Sequence, residues 1–221
     1  MEFLDDMRNS LRLRTIAGMA RRHGAAMLAT LFVAAVIVMA PALSKPQQAA
    51  GAAGPPVELV FDPAKSQIHW SLDTTLHTVH GTFQLKRGKL VFEPATGRVS
   101  GEIVADALSG ESSNSGRDAK MHKDVLESGK YSEIAFRPDR AAGNFGAGDT
   151  STLEVHGIFV LHGAEHEITL PVQWKRSGGS WTSSSKFKIP FLAWGLKNPS
   201  NFLLKVKPDV EIELDGAGSV H

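Results

Sequence analysis

From Val57 onward, apolar side chains return at every second position rather than every third or fourth. Ile68, Trp70 and Leu72 alternate with His69, Ser71 and Asp73. The pattern recurs at Val79-Gly81-Phe83-Leu85, Val99-Gly101-Ile103-Ala105, Leu153-Val155-Gly157-Phe159-Leu161 and Ile168-Leu170-Val172-Trp174. It returns at Trp181-Ser183-Ser185-Phe187-Ile189, Phe202-Leu204-Val206 and Val210-Ile212-Leu214. A period of two sends successive side chains to opposite faces of a strand, so each run presents one dry face and one wet face. Lys186 and Lys188 beside Phe187, and Glu211 and Glu213 beside Ile212, supply the wet one.

Short turn signals separate the runs: Arg87-Gly88, Pro94-Ala95-Thr96-Gly97, Gly163-Ala164 and Ser177-Gly178-Gly179. Connections this short make sequential strands antiparallel neighbours. One segment departs from the pattern, since 114–127 opens with capping-type residues and spaces Met121 and Val125 four apart, as a short helix does. That helix reads as a lid. About eight strands with one inward face cannot be covered by one short helix, and closing the sheet into a barrel buries the face without exposed edges. The expected fold is therefore all-β, an eight-stranded antiparallel barrel with one short helix. An eight-stranded barrel either fills itself with side chains or holds one small ligand. Gly81, Gly101, Ala105, Gly157, Ser183 and Ser185 are small at inward positions. They leave room for a cavity, or else relieve tight barrel corners around a packed core.

The chain contains no cysteine, which removes disulfides, thiol nucleophiles and thiolate metal sites. Arg8, Arg12, Arg14, Arg21 and Arg22 precede the uncharged run Ala25 to Ala40, and Ala40-Pro41-Ala42 follows. Basic then apolar then small is the order of a secretory signal, and the length of the run also suits an uncleaved membrane anchor. Residues 1–42 are thus a signal peptide or anchor, 43–56 a flexible linker rich in Pro, Ala, Gln and Gly, and 57–217 the barrel domain. Either topology places the domain outside the cytoplasm, in a periplasm-like compartment, released or held at the inner membrane by its N-terminal segment. The first 42 residues carry five of the 24 basic and three of the 23 acidic residues, leaving 19 against 20 and no basic field for nucleic acid.

Several local motifs add to this. Phe61 to Trp70 reads F-D-P-x-x-S-x-I-x-W, followed by G-x-F at Gly81 to Phe83 and G-R-D at Gly116 to Asp118. Met121 to Glu127 reads M-H-x-x-V-L-E, and Tyr131 to Phe136 reads Y-x-E-I-x-F. Val155 to Gly163 reads V-H-G-x-F-x-L-H-G, and Trp194 to Ser200 reads W-G-L-K-N-P-S. In this order and without a large gap, the motifs resemble the YceI-like family. The resemblance implies a lipocalin-like eight-stranded barrel, exported to the periplasm, whose apolar interior holds a polyisoprenoid or similar long-chain lipid. It also implies a binding protein rather than an enzyme, some members being homodimers.

Catalytic signatures such as a G-x-S-x-G elbow, H-E-x-x-H or a phosphate-binding loop are absent from the sequence. His77 and His80 fall on opposite faces of a strand, whereas His162 and His166 bracket a turn and are the best-placed pair for a metal. Exposed turn histidines are more often solvated, and no metal or cofactor is expected. Asp118, Asp124 and Glu127 read as caps and surface charges of the short helix. Arg117 either fixes that helix or meets a phosphate or quinone oxygen at the barrel mouth, since a guanidinium offers paired donors. The inward residues Ile68, Trp70, Leu72, Phe83, Leu85, Phe92, Ile103, Phe136, Val155, Phe159, Ile168, Leu170, Val172, Phe187, Ile189, Leu204 and Val206 are the candidate cavity wall, or equally a packed core. The leading expectation is a carrier of an isoprenoid, quinone or similar long-chain lipid. A ligand-free interaction domain and a lipid-modifying enzyme on the same barrel are the alternatives.

Overall fold

A computed structural model describes residues 54–143 and 150–221. The proposed signal or anchor, most of the linker and the Gly-rich stretch 144–149 lie outside the described residues. Nine strands form one antiparallel sheet: β1 (Val57–Phe61), β2 (Gln67–Asp73), β3 (Thr78–Glu93), β4 (Arg98–Glu111), β5 (Glu133–Gly143), β6 (Ser151–Leu161), β7 (Ala164–Ser177), β8 (Ser180–Ile189) and β9 (Val210–Val220). Each of β3 to β8 pairs with the next. Both β1 and β2 lie between β3 and β9, with Val57 opposite Phe92 and Ile68 opposite Phe83. They run in the same direction and occupy one position, so the barrel is closed and has eight staves, one of them broken.

The break has a local cause. Pro63 cannot donate to a strand ladder, and the Asp62 carboxylate accepts the Ala64 amide at 3.0 Å in a tight Asx turn. The chain leaves the sheet at Asp62 and rejoins it at Gln67. Within the excursion, Ser66 Oγ donates to the Asp62 carbonyl at 2.9 Å and accepts the Ala217 amide at 3.2 Å. A side-chain hydroxyl thus stands where a backbone carbonyl of the missing rungs would be.

Two sequence expectations about elements are corrected. Arg87-Gly88 is not a turn but a bulge inside the 16-residue strand β3, where the register shifts between Leu85 and Arg87. Leu85 and Gly88 are buried while Lys86 and Arg87 between them are both exposed, because the extra residue resets the phase of the pleat. The run Phe202-Leu204-Val206 is not a strand. It lies in the 190–209 connection, and its one ladder-type pairing among the described residues is a bridge between Thr74 and Val206. Phe202 therefore points to solvent, 93% exposed, although its spacing matches Leu204.

The expected helix is present in two parts, α1 (Ser115–Lys120) and one π-helical turn at Met121–Val125. Asn114 caps α1, its side-chain oxygen accepting the Arg117 amide at 2.9 Å. The Leu126 amide reaches back five residues to the Met121 carbonyl at 2.9 Å. This widened turn keeps Met121, Val125 and Leu126 on the barrel side.

Successive connections alternate between the two ends of an up-and-down barrel. The 74–77 turn, the helical 112–132 connection, the His162-Gly163 turn and the 190–209 connection share one end; the 94–97 and 178–179 turns share the other. A core cluster around Phe61, Leu90, Phe92, Val99 and Trp181 lies toward the end away from the helix. Phe61 and Trp181 meet edge to face at 4.5 Å there, and Trp181 Nε1 donates to the Ser219 carbonyl at 3.0 Å. Val125, Leu126, Leu161, Ile189, Phe191 and Leu196 form a second cluster under the helix.

Candidate functional site

Between these clusters lies an interior cavity of about 540 Å³, within the roughly 300 to 1,000 Å³ usual for ligand sites. Of the residues expected to form its wall, Ile68, Trp70, Leu72, Phe83, Phe92, Ile103, Phe136, Val155, Phe159, Leu170, Val172, Phe187, Ile189, Leu204 and Val206 border it. Leu85 and Ile168 do not. Leu85 is buried in the Phe61 cluster beside the Asp62–Ser66 excursion, where neighbouring core side chains cover it. Ile168 packs in the cluster beneath the 190–196 turn, where Trp194 stacks on His166 at 4.0 Å and approaches Phe159 at 5.8 Å.

The small inward residues divide into two groups. Ala105, Ser183 and Ser185 face the cavity and make room in it. At Gly81 a Cβ would strike the Glu111 carbonyl and the Trp70 ring, at Gly157 the backbone of Arg137 and Pro138, and at Gly101 the backbone of Lys89. These three glycines let strands approach at barrel corners and add nothing to the cavity. The volume comes from the lumen of an eight-strand barrel whose mid-wall carries short side chains on β8.

Charged and most polar residues of the lining gather at one place. Thr74, Asn114, Arg117, Lys120 and Asn201 all belong to the helix end, whereas Ser183 and Ser185 are the hydroxyls deeper in the wall. Ser185 Oγ donates to the Pro171 carbonyl at 2.8 Å, so that hydroxyl is satisfied within the wall. The site is thus an apolar chamber with a polar mouth beside α1. Two donors in its wall, Trp70 Nε1 and Trp174 Nε1, are buried with no acceptor among the described residues.

Arg117 serves the helix and borders the mouth at once. Its Nε donates to Ser112 Oγ at 2.7 Å and an Nη to the Ser112 carbonyl at 2.6 Å, while Ser112 Oγ in turn donates to Asp118. The residue therefore ties the end of β4 to the first turn of α1 through a bidentate contact. Glu127 accepts from His162 Nε2 at 2.9 Å, and the Tyr131 ring lies 4.4 Å from that imidazole. These contacts pin the far end of the helical segment to the β6–β7 turn. His162 and His166 are held by different partners, and Asp118, Asp124 and Glu127 each face a separate one, Ser112, Lys197 and His162. Among the described residues no cluster of three or more metal-ligating side chains occurs.

Sequence reasoning did not place Met121, Val125, Leu126, Phe191 or Leu196 in the wall, although all border the cavity. Met121 and Val125 carried a signal in their four-residue spacing, whereas Phe191 and Leu196 sit in an irregular connection and carried none. Leu59, Phe61 and Ile134 also border the cavity, and their strands are too short or too interrupted to show a period in the sequence.

A family model described as the YceI-like domain matches residues 59–217. The chain belongs to the YceI-like family. Its barrel is similar to the crystal structure of BcnA from Burkholderia cenocepacia, with 19% identity and a TM-score of 0.60, over 72% of this chain and 99% of that one. It is also similar to a structure from Saccharophagus degradans described as a polyisoprenoid binding domain implicated in plant cell wall breakdown. There the identity is 13% and the TM-score 0.57, over 74% of this chain and 98% of that one. At these identities the likeness is one of fold. No curated protein sequence matches the chain.

Proposed function

We propose that this YceI-like barrel binds and carries a long apolar chain of the isoprenoid or quinone type, outside the cytoplasm. The observation that supports this most is the closed barrel with an apolar chamber of about 540 Å³ opening at one polar mouth. An extended hydrocarbon fits such a lumen, and a polar head rests at Asn114, Arg117 and Lys120, where donors gather. The Saccharophagus degradans relative, described as a polyisoprenoid binding domain, supports the same ligand class. Binding rather than catalysis is favoured because the carboxylates and histidines near the mouth are engaged singly in structural contacts. The basic-then-apolar N-terminal sequence supports export.

Mass spectrometry of lipid extracted from gently purified protein tests the ligand class. An isoprenoid or quinone should co-purify, and protein free of any lipid across several preparations would overturn the reading. Intact mass of soluble and membrane fractions separates a chain beginning at Leu43 from a full-length anchored one.

A further inference from the structure

Leu76, Phe202 and Leu203 are 75%, 93% and 80% exposed, which is unusual for large apolar side chains so close together. They belong to two turns that are hydrogen-bonded to each other: the Thr75 amide donates to the Lys205 carbonyl at 2.9 Å, and the Lys205 amide to Thr75 Oγ1 at 3.4 Å. The same turns supply Thr74, Asn201 and Leu204 to the rim of the cavity. The exposed apolar tips therefore stand at the mouth, just outside the chamber. The 190–209 connection holds Lys197, Lys205 and Lys207 against the single acid Asp209. Lys207 pairs with Asp73 at 2.8 Å and Lys197 approaches Asp124 at 4.0 Å, while the Lys205 ammonium has no ion-pair partner among the described residues.

We propose that the Leu76 and Phe202-Leu203 turns dock the mouth of the barrel on an anionic lipid bilayer, so that the carried chain passes between membrane and cavity without crossing water. Resting on the carrier reading above, this adds where loading occurs. Apolar tips flanked by lysines match the bilayer interface, where hydrocarbon accepts the tips and anionic head groups accept the cations. A second copy of the chain would bring the same lysines together, which disfavours a self-interface.

Because the chain has no cysteine, a single introduced one can be labelled uniquely. The full-length protein carrying Leu203→Cys with a nitroxide is mixed with phosphatidylethanolamine vesicles with and without phosphatidylglycerol; Ala95→Cys, in the turn at the opposite end, is the control. The Leu203 label should become accessible to dissolved oxygen and shielded from an aqueous nickel chelate when phosphatidylglycerol is present, and the Ala95 label should stay aqueous. This reports insertion at the mouth whatever the N-terminal segment does. In parallel, Phe202→Ser/Leu203→Ser should slow extraction of a long prenol from vesicles by about tenfold, leaving affinity for a short water-soluble prenol unchanged. A Leu203 label that stays aqueous overturns the docking, and so does a wild-type dimer that the double variant abolishes. If neither prenol binds while the label inserts, the carrier reading fails and the docking stands.

Discussion

Ser66 Oγ accepts the Ala217 amide proton at 3.2 Å, across the gap where the first stave of the barrel is broken. One hydroxyl thereby replaces backbone pairing lost to the Asp62-Pro63 turn and keeps β9 joined to a discontinuous neighbour. The F-D-P-x-x-S motif is thus a device for breaking and rejoining a strand within a closed sheet.

Ser66→Ala should accordingly cost about 1 to 2 kcal/mol of stability, the price of an amide left without its acceptor. Equilibrium urea unfolding measures it, and an unchanged midpoint would show that the Ala217 amide finds another partner at no cost.

The glycine corners make a sharper demand. At Gly81 a Cβ meets the fixed Glu111 carbonyl as well as the Trp70 ring, so Gly81→Val should destabilise the barrel by about 3 kcal/mol or prevent folding. Gly179→Ala, where a Cβ meets nothing within 4 Å, should change stability by less than about 0.5 kcal/mol. Comparable effects at both positions in thermal melts would contradict the assignment of Gly81 to a corner.

A charge cluster spans the β3–β4–β5 seam. Arg87 donates to Glu102 and to Glu133, and Lys86 also reaches Glu133 at 2.9 Å. These cations, Arg87 first, hold the Glu133 carboxyl down to about 2, against the ordinary 4.5. A depressed carboxylate stabilises the fold fully above its unfolded value, so the contribution is present above about pH 4.5 and fades as pH falls toward 2. The side chains are solvated, which limits the effect to about 1 kcal/mol or less. Glu133→Gln should flatten the stability profile between those pH values while leaving binding at neutral pH unchanged; an identical acid profile in both proteins would remove the cluster from the account.

Much of the barrel was legible because β6, β7, β8 and β9 alternate over most of their length, and β7, β8 and β9 carry charge at outward positions such as Glu167, Lys186, Lys188, Glu211 and Glu213. The pattern failed where the backbone departs from a regular pleat. The β3 bulge made Arg87-Gly88 read as a turn, and β5 was hidden by its register shift between Pro138 and Arg140. At the site, strands betray their inward residues by period, so Leu170 and Phe187 could be named. Phe191 and Leu196 could not, since an irregular connection is folded over the mouth by contacts distant in sequence. The opposite error, expecting Phe202 to point inward with Leu204, arose because a two-residue spacing fixes a common face only within a strand.

The central claim, an interior that takes up a long apolar chain, is tested most directly by titrating prenol homologues of increasing length against the wild type, Leu170→Asp and Lys186→Ala, with unfolding followed in parallel. Each added isoprene unit buries on the order of 100 Å², worth about 2.5 kcal/mol before ordering costs, so affinity should rise with length until the lumen is full. Leu170 is buried in the cavity wall, and a carboxylate there should abolish binding and lower stability by a few kcal/mol. Lys186, outward on β8 and paired with Glu211, should be dispensable for both. Affinity that climbs with chain length in the wild type and in Lys186→Ala, and vanishes in a still-folded Leu170→Asp, is the predicted result; affinity independent of length, or binding that survives Leu170→Asp, would contradict it.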